Sequence, residues 1–136
     1  MDIREALVAY LLGDATIVAL VANRLSPGFA PQASARPYLT YAQIDRPTTD
    51  HLKGQDLPHP RFQLGCWGGT SLASAVALAT AVRERINAGS RKDWGELSVQ
   101  HSRVIDERDN FDAPVDAGEV PDFSVQLDLV IWSDNE

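Results

Sequence analysis

Apolar residues recur at helical and at strand spacing along this chain, and the two periods predict its secondary structure. In the first stretch, spacings of three and four residues connect the apolar positions Ile3, Ala6, Leu7, Tyr10 and Leu11. This pattern predicts a helix over residues 2–12, with Asp2 as its N-cap and Gly13 as its stop. A second short helix is predicted to follow Asp14 and to end near Asn23.

The best-defined helix follows a Gly-Gly pair in the middle of the chain. Thr70 or Ser71 is its predicted N-cap, and Gly89 is its predicted end. Its apolar positions are again three and four residues apart, and they are Leu72, Val76, Ala79, Val82 and Ile86. This stripe predicts one buried face along the helix.

Alternation of apolar and polar residues predicts four strands, over residues 38–45, 61–67, 97–105 and 123–132. In the third of these, alternation places Leu97, Val99 and Ile105 on one face. The Gly68-Gly69 pair is predicted to break the second strand.

Two consecutive strand pairs with a long helix between them are typical of an α+β fold. We therefore predict a small four-stranded antiparallel or mixed sheet with the helices on one face, in the order α-α-β-β-α-β-β. The length of 136 residues predicts a single domain over 1–136, with long polar connections at 46–60 and 106–121. The second sheet face should meet water or another subunit, because it carries Gln63, Gln100, Gln126 and Asp128.

The formal net charge of −7 is concentrated near the end of the chain. Residues 106–136 hold ten acids against one base, Arg108, a formal charge of −9, and the rest of the chain carries +2. Proteins that grip DNA do so largely with Lys and Arg at its phosphates. The charge distribution therefore argues against a conventional DNA-binding protein.

Cysteine count and hydropathy exclude two further classes of protein. A single cysteine, Cys66, is incompatible with a disulfide framework or a multi-cysteine zinc site, and it suits a reducing compartment. No run approaches the ~20 apolar residues of a membrane span. The acidic residues near the N-terminus are also unlike a signal peptide, so we expect neither feature.

No group of residues has the pattern of an active site or a metal site. The Gly68-Gly69-Thr70-Ser71 junction lacks the lysine of a phosphate loop, so a plain strand–turn–helix junction is favoured. Cys66 shares a strand face with apolar residues, which favours an inert buried thiol. The sequence therefore predicts no catalytic residue, no cofactor and no metal ligand. The three histidines, which lack the spacing of metal ligands, are His51, His59 and His101.

Contacts with partners are predicted at the two long connections. The 106–121 connection fails the calcium-loop pattern and reads as a solvated anionic loop, yet Phe111 and Val115 are apolar tips that suit contact with a partner. Its candidate contact residues are Asp109, Phe111, Asp112, Val115 and Asp116. The candidates in the 46–60 connection are Arg46, His51 and Lys53. The three tryptophans suit either the edge of the core or a subunit interface.

The order of elements and several local strings resemble the tail terminator, or tail completion, proteins of long-tailed bacteriophages and phage-derived gene transfer agents. The matching strings are the opening helix pair IREALVAYLLGDATIVALVANRL, then PYLTYAQI, then RFQLGCWGGTSLASAVALATAVRERIN. The resemblance spans about residues 3 to 132. The two long connections lie where such proteins vary.

This resemblance implies a structural protein and not an enzyme. Such proteins form a hexameric ring that caps the tail tube, ends its polymerisation and joins the tail to the head connector. The implied partners are other copies of the chain, the tail tube protein and a connector or stopper protein. DNA passes through the ring without specific binding. The implied location is the bacterial cytoplasm during assembly and then the tail–head junction of the virion.

The acidic connection then has two possible roles. It could line the lumen, where like charge keeps DNA from sticking, or it could dock on a basic rim of the tube or connector. Two other functions stay open on the sequence alone. One is a head-side stopper or neck adaptor, and the other is a small cytosolic ligand-binding domain that uses the Gly68–Ser71 junction.

Overall fold

A computed structural model describes residues 1–31, 34–47, 50–51, 54–55, 59–112 and 121–134. Within these ranges the chain forms three helices and eight strands. The helices are α1 (Ile3–Leu12), α2 (Ala15–Val21) and α3 (Leu72–Asn87). The strands are β1 (Leu25–Pro27), β2 (Tyr38–Asp45), β3 (Asp50–His51), β4 (Gly54–Gln55), β5 (Arg61–Gly69), β6 (Lys92–Trp94), β7 (Leu97–Asp112) and β8 (Asp122–Asp134).

Six of these strands form one sheet in the order β1-β2-β5-β8-β7-β6. Neighbours are antiparallel except for β1 and β2, which are parallel, so the α+β class with a mixed sheet is confirmed. β3 and β4 pair separately as a two-stranded hairpin. The predicted four-stranded sheet and element order were wrong, because β1, β3, β4 and β6 are only two or three residues long. Strands this short show no measurable alternation.

The third predicted strand continues much further than its pattern suggested. β7 runs to Asp112, which pairs with Asp122, so residues 106–112 belong to a strand and not to a polar connection. Register shifts between Val99 and His101 and between Val104 and Asp106 mark bulges in β7. Each bulge reverses the alternation of faces. The predicted placement of Ile105 beside Leu97 was therefore wrong, and Val104 packs against the core instead.

Side-chain caps begin the helices where the sequence indicated. Asp2 accepts from the N–H of Arg4 at 2.6 Å, while Glu5 accepts from the N–H of Asp2 at 3.4 Å, which completes a capping box. Asp14 accepts from Thr16 in α2. At α3 the cap is Ser71.

The buried face of α3 differs from the predicted stripe. Leu72 and Val76 are exposed, and the buried positions are Ala75, Leu78, Ala79, Val82 and Ile86. The reason is the close approach of α3 to the end of β5. A Cβ on Gly68 would lie 2.5 Å from the backbone N of Ala75, so the small residue Ala75 must face the sheet. Leu72 and Val76 are thereby turned outward.

The core lies between the helices and one face of the sheet. α3 packs on β5, β7 and β8, α2 packs on β2, and α1 packs on β6. Strand residues from directly opposed positions form its floor, and these are Leu39, Phe62, Leu64, Cys66, Val125, Leu127 and Leu129. None of the described helices is long and apolar enough to cross a membrane.

β1 forms one edge of the sheet and offers few backbone donors to a neighbour. The N–H of Leu25 already donates to the carbonyl of Asn23 at 2.9 Å, and Pro27 has no N–H. The N–H of Gly28 points inward and donates to Tyr41. Such an edge is poorly suited to adding another strand.

Candidate assembly surfaces

The second face of the sheet carries paired polar side chains. Gln63 donates from Nε2 to Oε1 of Gln126 at 3.0 Å, across the β5–β8 pair. Trp67 lies over Gly65 and donates from Nε1 to Oγ1 of Thr40 at 3.2 Å. The register places these residues on the face opposite the core, as the sequence predicted for Gln63 and Gln126. Within the described ranges, no helix packs on this face.

Arginine side chains neutralise part of the acidic segment. Arg108 contacts Asp106 at 2.9 Å and Asp128 at 3.0 Å, and these carboxylates raise its pKa. Further pairs join Arg83 to Glu107 at 2.7 Å and Arg36 to Asp122 at 2.9 Å. Four of the ten acids in 106–136 are thus paired with a base.

Asp109 differs from these four acids. Its side chain is exposed, and it makes no ion pair with any residue that the structure describes. Among the six remaining acids of the segment it is the one whose side chain is described. Asp109 therefore presents an uncompensated negative charge on β7.

Exposed apolar side chains lie toward the end of the sheet where β7 ends at Asp112 and β8 begins at Asp122. Asn87 accepts from the N–H of Val104, and Arg83 contacts Glu107, so α3 runs antiparallel to β7. The first turns of α3 consequently lie toward the Asp112 end of β7. Three exposed side chains result, and we call them the tip patch: Leu72 (38% exposed), Val76 (44%) and Phe111 (60%). The Phe111 ring also packs on Phe123, with centroids 6.1 Å apart.

Sequence reasoning found one member of the tip patch and missed two. Phe111 was singled out as an apolar residue among charges, and it is exposed. Leu72 and Val76 were instead assigned to the buried stripe of α3. The rotation of the helix is set by the close contact of Gly68 with Ala75, which leaves no periodic signal in the sequence.

The other candidate contact residues are placed as follows. Asp112 is the last residue of β7, while Val115 and Asp116 lie outside the described residues. His51 belongs to β3, where it pairs with Gly54, and Lys53 also lies outside the described residues. Arg46 is exposed and follows β2.

The two candidate contact segments lie at opposite ends of the sheet. Asp45 is opposite Arg61, which is opposite Val130, whereas Phe111 is opposite Phe123. Seven residues of β8 separate these two levels, which is about 23 Å at roughly 3.3 Å per residue. The structure therefore does not bring Arg46 together with Asp109 and Phe111.

The residues that could have carried chemistry are dispersed. Cys66 is fully buried, and burial raises the pKa of its thiol, so it is a poor nucleophile. His59 stacks on Trp132, whereas the ring of His101 lies 3.3 Å from Oγ of Ser90. Within the described ranges, no three His, Cys, Asp or Glu side chains are grouped so that they could hold a metal ion.

The Gly68–Ser71 junction is occupied by its own neighbours. The Arg36 side chain lies over Gly69, whose φ is +71°, and pairs with Asp122 beside it. A shallow depression remains, lined by Arg36, Gly68, Gly69, Thr70, Pro121 and Asp122. A carboxylate at this place is unfavourable for an anion.

Comparison with known proteins assigns the chain to a family. The family model of the tail completion protein gp17 matches residues 5–117. The chain belongs to the tail completion protein family. As a member, it is a structural protein of a phage-type tail, in agreement with the resemblance drawn from its sequence.

A solved structure supports the fold of this tail completion family member. A chain from the virion of a native gene transfer agent particle superposes with a TM-score of 0.75 and 16% sequence identity. The superposition covers 95% of this chain and 92% of that one. No curated protein matches the sequence.

Proposed function

We propose that the protein forms a ring that caps the tail tube, ends its polymerisation and joins the finished tail to the head connector. The observation that carries this proposal is the tail completion family match over residues 5–117. The shared fold with a chain of a gene transfer agent virion supports it. The ring is a homohexamer, assembled in the bacterial cytoplasm and retained at the tail–head junction.

Three partners follow from this role. Other copies of the chain complete the ring, the tail tube protein lies on one side, and a connector or stopper protein lies on the other. The tip patch suits contact with the tube or connector, because exposed apolar side chains gathered at one end of a sheet mark interaction surfaces. DNA passes through the lumen without specific binding.

Removing the protein from its particle tests the proposal. Without a terminator, tube subunits continue to add, so electron micrographs should show overlong tails without heads. Tails of normal length that lack heads would instead assign the protein to a head-side stopper or neck adaptor. Tails of normal length attached to heads would overturn the ring-capping function. Restoring the unchanged protein is the control.

We further propose that Asp112, Asp116 and their neighbour Val115 face the DNA path. Six copies of this acidic connection would repel DNA and let it slide. Replacing Asp112→Asn together with Asp116→Asn should leave tails joined to heads and slow DNA ejection several-fold, as measured by dye uptake. The matched control changes two exposed acids elsewhere, Glu84→Gln and Asp93→Asn.

The same variant separates the two roles of the connection. Heads that fail to join while any joined particle ejects DNA normally would assign the acids to docking on the connector. Unchanged joining and unchanged ejection would contradict both roles.

A further inference from the structure

The two edges of the sheet carry complementary features at matching levels. We propose that the contact between neighbouring subunits joins the β1 edge of one protomer to the β7 edge of the next, with Arg24 facing Asp109 and Phe29 packing on Ile105. This inference rests on the proposed ring. A closed ring needs a head-to-tail contact between two different surfaces of the same chain.

The β7 edge is uncovered for most of its length. β6 pairs only with Leu97–Val99 of β7, and the side chains of Ser90 and Asn87 accept from the N–H groups of Ser102 and Val104. From Glu107 onward, the hydrogen bonds at this edge are local. The N–H of Glu107 donates to Asp106 and that of Phe111 donates to Asn110. β8 pairs with this part of β7 on its inner side, and no other strand of the described chain pairs with it on the outer side.

Opposite charges lie near the two ends of one row of residues, which are directly opposite one another on successive strands of the sheet. The row runs from Leu25 to Leu39, Cys66, Val125 and Asp109. Arg24 immediately precedes Leu25 and donates to the carbonyls of Pro37 and Leu20. No carboxylate pairs with Arg24 in the part of the chain that the structure describes. Arg24 and Asp109 are therefore uncompensated charges of opposite sign at the same level.

A pair of exposed apolar residues lies further along the same two edges. Phe29 is 82% exposed and lies two residues after Pro27, whose row ends at Glu107. Ile105 is 40% exposed and lies two residues before Glu107. Because β1 and β7 run in opposite directions, Arg24 and Phe29 follow the same order as Asp109 and Ile105. One orientation of the neighbour therefore places both pairs in the same order along the contact.

The complementary features of the β1 and β7 edges specify a second copy of this chain as the binding partner. The two edges differ in charge as well, since the β1 edge carries Arg24, with which no described carboxylate pairs, while residues 105–112 of β7 carry four acids and one arginine. This difference favours a head-to-tail approach and opposes contact between identical edges.

Disulfide trapping tests the contact in assembled tails. Arg24 and Asp109 lie four strand spacings apart within one protomer, about 19 Å, so cysteines at these positions cannot pair in one chain. Oxidation of tails carrying Arg24→Cys with Asp109→Cys should give a ladder of covalent oligomers up to six chains. The native Cys66 is buried and does not interfere. Each single variant, and Arg24→Cys with Asp93→Cys, should give no ladder.

A second pair of cysteines guards against a folding defect, because the side chain of Arg24 also donates to two backbone carbonyls. Asn23→Cys with Asp109→Cys leaves Arg24 in place, and Asn23 is exposed. A ladder from either double variant supports the contact. If both double variants gave tails of normal length but no ladder, the proposed contact would be wrong, while the proposed ring would be unaffected. Failure of the proposed ring-capping function would show separately, because removal of the protein would then leave tails of normal length attached to heads.

Discussion

Replacing Trp94 with alanine is expected to lower the free energy of unfolding by about 3–5 kcal/mol. Trp94 is fully buried, and its ring stacks on Tyr10 with centroids 4.2 Å apart and planes 3° apart. Its Nε1 donates to the carbonyl of Gly89 at 3.1 Å. The guanidinium of Arg85 covers the other face of the Tyr10 ring, with its Cζ 3.8 Å from the ring centroid. The substitution would open a cavity where α1, α3 and β6 meet.

Urea unfolding followed by circular dichroism measures this loss. The matched control is Trp132→Ala, which removes the same side chain from the half-buried second face, where it stacks on His59. We expect the control to cost about 1–2 kcal/mol, since less of the side chain leaves a packed environment. Equal losses for the two variants would contradict the central position of Trp94 in the core.

Gly68→Ala is expected to lower the free energy of unfolding by about 3 kcal/mol or more. Its added Cβ would lie 2.5 Å from the backbone N of Ala75 and 2.5 Å from the carbonyl O of Ser71. Both are backbone atoms at the start of α3, so no side chain can rotate away. The helix would have to lift from β5.

Gly28→Ala separates this clash from the general cost of losing a glycine. Gly28 has a φ of +72°, and a Cβ there meets no atom within 4 Å, so only backbone strain of about 1 kcal/mol is expected. Urea midpoints of the two variants give the comparison. A Gly68→Ala protein as stable as Gly28→Ala would show that α3 adjusts freely against the sheet.

Periodicity predicted the elements that have one solvent-exposed face and one buried face. The capped starts of α1 and α3 and the alternation of Phe62, Leu64 and Cys66 all appear in the structure, because each follows from local chemistry or a single buried face. The family resemblance was likewise recoverable, since it depended on the order of these elements.

The remaining features depend on contacts between distant residues. The bulge before Asp106 and the exposed second half of β7 produce a charged strand that resembles a loop in the sequence. The rotation of α3 depends on Gly68 and Ala75 meeting across seven residues. The neutralisation of Asp128 by Arg108 depends on strand register. None of these leaves a periodic signal in the chain.

The shortage of backbone donors along β1 also bears on how a ring can stop growing. The N–H of Leu25 donates to Asn23, and Pro27 has no N–H, so this edge offers few main-chain hydrogen bonds through which a neighbouring sheet could extend it. Main-chain bonding would hold successive sheets at one fixed spacing and twist, a geometry that propagates into fibres. Side chains at the edge leave the angle between subunits adjustable. In the proposed hexameric ring, that freedom would let the sixth subunit meet the first.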